Sequence, residues 1–168
     1  MSANNNGILL LALGNDILGD DAVGLFAARQ LSEELDGFVE ITEASAAGFA
    51  LLDYLSGFEK VLILDSVVGD ESAAGMIREI SVGEFSAQSV LSPHFVGLPE
   101  LIETAHALEI PFPTEIKLLG MTVEDPYVLR EGLTKRVSEK LPEFVEDARR
   151  IIEGWIREPA SVVRSAGV

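Results

Sequence analysis

The strongest constraint on the fold is a pair of short segments built entirely from apolar residues. Residues 7–13 read Gly-Ile-Leu-Leu-Leu-Ala-Leu, and Val61-Leu62-Ile63-Leu64 runs directly into Asp65. A continuous apolar run of about four to eight residues is typical of a strand that is buried on both faces. Such strands belong to parallel sheets that are covered by helices on both sides. The two segments therefore predict the centre of an α/β domain.

Apolar strands alternate with helical patterns along the rest of the chain. Five strands are predicted, at residues 7–13, Phe38–Thr42, Lys60–Asp65, Met76–Ile80 and Ile116–Met121. Helices are predicted from Asp20 to Gly37, over Ala46–Leu55, over Pro99–Leu108 and over Leu133–Ile156, with a kink or break at Pro142. This order favours right-handed crossovers and a mainly parallel five-stranded twisted sheet in a three-layer α/β/α sandwich. We expect a single domain over residues 1–157, followed by a flexible tail over 158–168.

Composition excludes several classes of function. The chain of 168 residues has 12 Lys and Arg against 28 Asp and Glu, a net charge of −16, which opposes binding to nucleic acid or to anionic membranes. The absence of cysteine excludes disulfides, thiol nucleophiles and iron–sulfur clusters, and two histidines cannot form a three-histidine site. No apolar run is long enough to span a membrane, and residues 1–6 lack the basic segment of a signal peptide. We expect a soluble, cytoplasmic protein.

Three polar residues lie where the predicted strands end. Asp21 follows the first strand, Asp65 ends the third, and His94 precedes the third helix. In open α/β sheets, binding sites form at the carboxyl ends of the strands, near a switch in strand order. Each residue also has a purely structural interpretation. Asp21 could stabilise a helix N-terminus, Asp65 could accept hydrogen bonds in a turn, and an isolated histidine is usually a surface or satisfied core residue.

The loop between the first strand and the first helix does not fit a phosphate. Residues 14–21 read Gly-Asn-Asp-Ile-Leu-Gly-Asp-Asp, with three carboxylates and no basic residue. Such a loop repels phosphate and suits a cation. Two carboxylates and one imidazole would provide three ligands, which suits nickel, zinc, copper or iron better than calcium. The sequence has neither a His-Glu-x-x-His motif nor a Gly-x-Ser-x-Gly motif.

At these residues the sequence resembles a known family. The matching segments are Gly14-Asn15, Asp20-Asp21-Ala22-Val23-Gly24, Ala47-Gly48, Leu64-Asp65, Ser92-Pro93-His94, Gly97-Leu98 and Leu119-Gly120. Their order and spacing are similar to those of the nickel–iron hydrogenase maturation endopeptidases, over roughly residues 7–152. The resemblance implies a five-stranded α/β/α fold. It also implies that the protein removes a C-terminal extension from a hydrogenase large-subunit precursor after nickel has been inserted.

The resemblance further implies roles for particular residues. Asp21, Asp65 and His94 match the metal-contacting positions of the family, which are thought to recognise nickel already held by the precursor. A surrogate divalent ion such as Zn²⁺ or Cd²⁺ is expected to occupy the same site in vitro. The resemblance also implies substrate contacts at Glu43 and Gly48. Two departures stand out. Asp21 replaces the glutamate of the best-known members, and Glu43-Ala44-Ser45-Ala46-Ala47-Gly48 replaces an acid followed by Gly-Gly-Thr.

Several alternatives remain open at this stage. The ion could polarise the scissile carbonyl or activate a water, or one carboxylate could act as the general base while the metal serves only recognition. A nickel chaperone that cleaves nothing, a metal-dependent peptidase of broad specificity, and a structural domain with helix-capping carboxylates compete with the endopeptidase. The expected partner is the hydrogenase large-subunit precursor, and the expected oligomeric state is a monomer.

Overall fold

The computed structural model describes residues 7–81 and 92–158. Its strands are β1 (Ile8–Leu13), β2 (Glu40–Ala44), β3 (Lys60–Val68), β4 (Ile77–Ser81) and β5 (Glu115–Val123). They form one sheet in the order β2-β1-β3-β5-β4. The pairings β1–β2, β1–β3 and β3–β5 are parallel, and only the edge strand β4 is antiparallel to its neighbour. The predicted five-stranded, mainly parallel sheet is confirmed.

Helices cover both faces of this sheet. They are α1 (Val23–Leu35), α2 (Leu51–Leu55), α3 (Leu98–Ala107) and α4 (Lys135–Arg157). Side chains of α1 and α4 share one hydrophobic core with one face of the sheet, and side chains of α2 and α3 share a second core with the other face. This is the predicted three-layer α/β/α sandwich. Within the described ranges, no helix is both long and apolar enough to cross a membrane.

The first strand shows why an uninterrupted apolar run is needed. Successive side chains of a strand point to opposite faces of a sheet. Leu10 and Ala12 accordingly enter the core beneath α1 and α4, whereas Leu9, Leu11 and Leu13 enter the core beneath α2 and α3. All of these side chains are buried. A polar residue at any of these positions would lie in one of the two cores.

The sequence predicts a kink or a break at Pro142, and the continuity of helix α4 through this residue shows that there is no break. The proline removes one backbone hydrogen bond, but the apolar side of the helix continues on both sides of it. This side is formed by Val137, Leu141, Phe144, Val145, Ala148, Ile152 and Trp155, all of which are buried. Burial of this stripe stabilises the helix on both sides of the proline. The first turn is capped by Thr134, whose hydroxyl accepts a hydrogen bond from the Val137 amide.

Two predicted boundaries were misplaced near the candidate site. The third strand does not end at Asp65, because Ser66, Val67 and Val68 continue the pairing with β5. Asp65 therefore lies inside β3, opposite Gly120. The helix predicted from Asp20 begins later. Residues 19–22 form a 3-10 turn, and α1 starts at Val23.

Two further elements differ from the prediction. Strand β2 starts at Glu40 rather than Phe38, since the Phe38 amide donates to the Leu35 carbonyl in the turn that closes α1. The helix predicted over Ala46–Leu55 is a 3-10 turn over Gly48–Ala50 followed by the short α2, because Ala47 is extended. Of the predicted tail, only residue 158 lies within the described residues.

Gly24 gives a test of how closely α1 must approach the sheet. A β-carbon at Gly24 would lie 2.5 Å from the carbonyl oxygen of Leu64 and 3.0 Å from that of Leu13. These are backbone atoms that cannot rotate away. We expect Gly24→Ala to lower the free energy of unfolding by about 1–3 kcal/mol, the usual cost of overpacking. Urea unfolding monitored by circular dichroism measures the change.

Gly154 provides the matched control. It lies in α4, is exposed, and a β-carbon there would meet no atom within 4 Å. Gly154→Ala should therefore stabilise the protein by up to about 1 kcal/mol, the difference in helix propensity. Equal effects of the two substitutions would contradict the close packing of α1.

Candidate metal site

Asp21 is positioned by the connection between β1 and α1. Gly14 follows β1, and a β-carbon there would lie 2.3 Å from the carbonyl oxygen of Asp21, so the loop folds tightly back onto the end of the strand. The neighbouring Asp20 accepts hydrogen bonds from the Thr134 amide at 2.6 Å and the Thr134 hydroxyl at 2.8 Å. These contacts hold the 3-10 turn against the start of α4. Asp21, 5% exposed, then points toward β3.

Asp65 and Ser66 occupy consecutive positions of β3 and so face opposite sides of the sheet. Asp65, fully buried, faces the layer of α2 and α3, as Ile63 and Val67 do. Its Oδ1 accepts a hydrogen bond from the Ser66 amide at 2.8 Å. The Ser66 hydroxyl donates to Oδ1 of Asp21 at 3.0 Å, on the side of α1. One strand therefore holds both carboxylates.

His94 comes from the segment that leads into α3. Ser92 caps a 3-10 turn over Pro93–Phe95, and its hydroxyl oxygen accepts a hydrogen bond from the His94 amide at 3.2 Å. The same hydroxyl donates to Oδ2 of Asp65 at 2.6 Å. Nδ1 of His94 lies 2.8 Å from the Ala46 carbonyl oxygen. Since a carbonyl only accepts, Nδ1 carries a proton, and Nε2 is directed at the carboxylates.

The three residues converge although they are far apart in sequence. Nε2 of His94 lies 3.9 Å from Oδ1 of Asp21 and 4.0 Å from Oδ1 of Asp65. One ligand atom from each residue lies within 4.8 Å of the other two, a spacing that could hold a metal ion. A separate hydrogen bond orients each candidate ligand. The Ser66 hydroxyl donates to Asp21, and the Ser92 hydroxyl donates to Asp65. His94 donates from Nδ1 to the Ala46 carbonyl. Partners of this kind fix the ligands of protein metal sites.

The electrostatics of the cluster favour a positive charge at its centre. Burial raises the pKa of the Asp65 carboxyl to about 7, against the opposing effects of His94 and Ser92. Burial lowers the pKa of His94, but the carboxylates of Asp21 and Asp65 and the Ala46 carbonyl outweigh it and raise that pKa to about 9. A divalent cation would supply the positive charge in place of the imidazole proton. It would also leave Nε2 free to act as a ligand.

The cluster opens into a cleft of about 160 Å³ at the carboxyl edge of the sheet. The cleft is lined by Asn15, Leu18, Asp21, Ser45, Ala47, His94, Pro126 and Tyr127. Asp21 and His94 thus border the open space, whereas Asp65 lies behind them, fully buried. A bound ion would have protein ligands on the inner side and room for ligands from another molecule on the outer side.

The two predicted substrate-contact residues lie beside this cleft without lining it. Glu43 is exposed on β2 and pairs with Arg29, which also binds Asp16 through two hydrogen bonds. Gly48 begins the next 3-10 turn at a φ of +57°, and a β-carbon there would lie 3.3 Å from the Val96 carbonyl oxygen. The cleft is instead lined by residues 45 and 47, between the two.

Sequence reasoning missed the residues that orient the ligands. Ser66 directly follows Asp65 and Ser92 lies two residues before His94, but a serine hydroxyl carries no sequence pattern of its own. Their partners are 45 and 27 residues away. A buried carboxylate needs hydrogen-bond donors, and this need is the signal that could have identified the two serines.

Comparison with known proteins identifies the family and agrees with the fold. Residues 25–151 match the profile of the HycI family, described as hydrogenase maturation protease. The hydrogenase 2 maturation protease of Escherichia coli K12 is 29% identical over 145 residues, which are 83% of this chain and 86% of that protein.

Solved structures show the same relationship. The hydrogenase-maturating endopeptidase HybD of E. coli superposes with a TM-score of 0.73 at 27% identity, over 88% of this chain and 92% of the other. The [NiFe] hydrogenase maturation protease HybD of Thermococcus kodakarensis gives a TM-score of 0.68 at 26% identity, over 86% and 98%. The profile match covers well over half of the chain. The chain belongs to the hydrogenase maturation protease family and is an endopeptidase of that family.

Proposed function

We propose that this endopeptidase removes the C-terminal extension of a [NiFe]-hydrogenase large-subunit precursor after nickel has been inserted. In this proposal Asp21, Asp65 and His94 bind nickel that the precursor carries. The observation that supports it most strongly is the convergence of these three side chains, within 4.8 Å of one another, at an open cleft. Membership of the hydrogenase maturation protease family supports the choice of substrate.

The donor set fits the proposed ion. Two carboxylate oxygens and one imidazole nitrogen suit Ni²⁺ or Zn²⁺, whereas calcium requires about six to eight oxygens. Three protein ligands leave coordination positions open for ligands of the precursor and for water. Zn²⁺ or Cd²⁺ should occupy the same three ligands in vitro. The nickel is then part of the substrate, and the protein recognises a precursor whose metal is in place.

The protein's own residues hold and orient the precursor at the cleft. Nδ1–H of His94 is fixed by the Ala46 carbonyl, so Nε2 always faces the bound ion. The ion, when bound, can polarise the scissile carbonyl or acidify a water. If a carboxylate instead takes the proton from the attacking water, Asp21 is better placed than Asp65. Asp21 borders the cleft, and Asp65 is fully buried.

Residues 43–48 would contact the precursor next to the ion. Ser45 and Ala47 line the cleft. We assign Glu43 and Gly48 to the same contact region, Glu43 through its exposed carboxylate and Gly48 through the turn it allows. In this assignment the segment contributes to the choice of substrate.

Substitution of the three ligands tests the proposed function. Asp21→Asn, Asp65→Asn and His94→Ala should each slow cleavage of nickel-loaded precursor by about 100-fold or more. Removal of a residue that merely supports a metal ligand already costs about 10–100-fold. Cleavage is measured as the loss of mass of the large subunit. Exposed residues away from the cleft provide controls, namely Asp53→Asn on α2 and His106→Ala on α3.

The outcomes separate the competing functions. Undiminished cleavage by all three variants would refute the site. Stable nickel transfer without any loss of mass would indicate a chaperone instead of a protease. Cleavage of unrelated peptides by the wild type, abolished by a chelator, would indicate a peptidase of broad specificity.

Ser92 tests whether the ligands are preorganised. Its hydroxyl donates to Asp65 and accepts from the His94 amide, so Ser92→Ala removes one hydrogen bond from each of two candidate ligand residues. We expect the affinity of the isolated protein for Ni²⁺ or Zn²⁺, measured by calorimetric titration, to fall by about 10–100-fold. Ser32→Ala is the control, since the Ser32 hydroxyl bonds only the Arg29 carbonyl within α1. An unchanged affinity in a folded Ser92→Ala variant would contradict this role.

A further inference from the structure

Exposed apolar side chains are concentrated around the cleft. Among the residues that the structure describes, ten large apolar side chains are exposed, and six of them lie in the loops that line this cleft, each within two residues of a lining residue or itself one. They are Ile17, Phe49, Val96, Tyr127, Val128 and Leu129, with Leu129 reaching 77% exposure. An exposed apolar patch of this kind marks a site of interaction with another molecule.

Four of the six form what we call the first lip, consisting of Ile17, Tyr127, Val128 and Leu129. Their two loops are joined by backbone hydrogen bonds, from the Arg130 amide to the Ile17 carbonyl at 3.0 Å and from the Gly19 amide to the Arg130 carbonyl at 2.9 Å. Tyr127 itself lines the cleft. The two loops of the first lip are therefore held together by backbone hydrogen bonds, next to the candidate metal site.

The other two residues, Phe49 and Val96, form the second lip. They lie two residues beyond Ala47 and His94, which line the cleft. Their turns are in contact, since the β-carbon position of Gly48 is 3.3 Å from the Val96 carbonyl oxygen. The His94 ring is fixed to the same region through Ala46. The two lips thus belong to two different groups of loops, both of which contribute residues to the lining of the cleft.

The cleft between the lips limits the shape of what can enter. Its volume of about 160 Å³ is well below the ~300–1,000 Å³ of pockets that enclose drug-sized ligands. An α-helix with its side chains is about 10–12 Å wide and rises about 5.4 Å per turn, so a single turn of it occupies more than this volume. A single extended peptide strand is narrower, and its side chains alternate between its two sides.

We infer that the two lips bind an extended segment of the metal-carrying precursor through apolar side chains on both sides of the ion. This inference rests on the proposed function, because a chain that brings nickel to Asp21 and His94 must pass between the lips. The six lip side chains carry no charge, although Asp125 and Arg130 flank the first lip in the chain. The charge of Arg29 near the cleft is paired with Asp16 and Glu43. Apolar contact and metal coordination together then identify the substrate.

A single charge in either lip tests the inference. Leu129→Asp in the first lip and Phe49→Asp in the second should each raise KM for the nickel-loaded large-subunit precursor from the same organism by about tenfold or more. The value of kcat should change far less, because neither residue touches the candidate ligands. Leu129→Met, which keeps an apolar side chain, should behave like the wild type. Affinity of the isolated variants for Zn²⁺ should also match the wild type.

Leu108→Asp is the matched control. Leu108 is 65% exposed but follows α3 at the opposite, amino edge of the strands, near the start of β5. The Leu108→Asp variant should have the same KM and kcat as the wild type. A tenfold rise in KM in this control would show that added negative charge alone weakens binding, and would overturn the inference.

The remaining outcomes separate the inference from the proposed function. If the wild type cleaves the precursor and both lip variants cleave it with unchanged KM, binding of the precursor by the lips is refuted and the proposed function stands. If the wild type binds the precursor through the lips without cleaving it, the proposed function is refuted, whereas the inference that the lips bind the precursor stands. If the isolated protein is a dimer that Leu129→Asp converts to a monomer, as measured by light scattering, the lips bind a second copy, which also overturns the inference.

Discussion

The carboxylate of Asp65, fully buried in the central strand, is the constraint on which the site depends. Removing an ion from water costs several kcal/mol, which must be offset by hydrogen bonds and opposite charge. Within the described residues, the hydrogen bonds come from the Ser66 amide and the Ser92 hydroxyl, and the nearest opposite charge is the imidazole of His94. A positive charge at this point of the sheet therefore stabilises the ionised form of Asp65, which burial alone disfavours.

The strand order explains why the ligands meet there. After β1 the chain moves to β2 on one side, while β3 lies on the other, so the sheet has a switch point between β1 and β3. Loops diverge at such a point and leave a crevice. Asp21 follows β1 on the side of α1, and Asp65 faces the layer of α3 from within β3. The crevice is thus bordered by both helical layers.

The sequence was informative where burial alone decides the structure. The apolar runs of β1 and β3 are typical of strands covered on both faces, and they led to the correct sheet and layers. The position of Asp65 inside β3, and not at its end, was not predictable in the same way. The polar Ser66 after the apolar run resembles the first residue of a loop, and only its pairing with β5 makes it part of the strand. The bonds from Ser66 and Ser92 span 45 and 27 residues and depend on the folded arrangement.

The arrangement also explains how a small, shallow site can be selective. A cleft of about 160 Å³ encloses little surface, so coordination of an ion alone would not distinguish one metal-carrying protein from another. Apolar contact alone would not distinguish a precursor with nickel from one without it. If the two lips bind the precursor as we infer, stable binding would require both features in one extended segment. On the proposed function, this dependence would couple cleavage of the extension to completion of the metal centre.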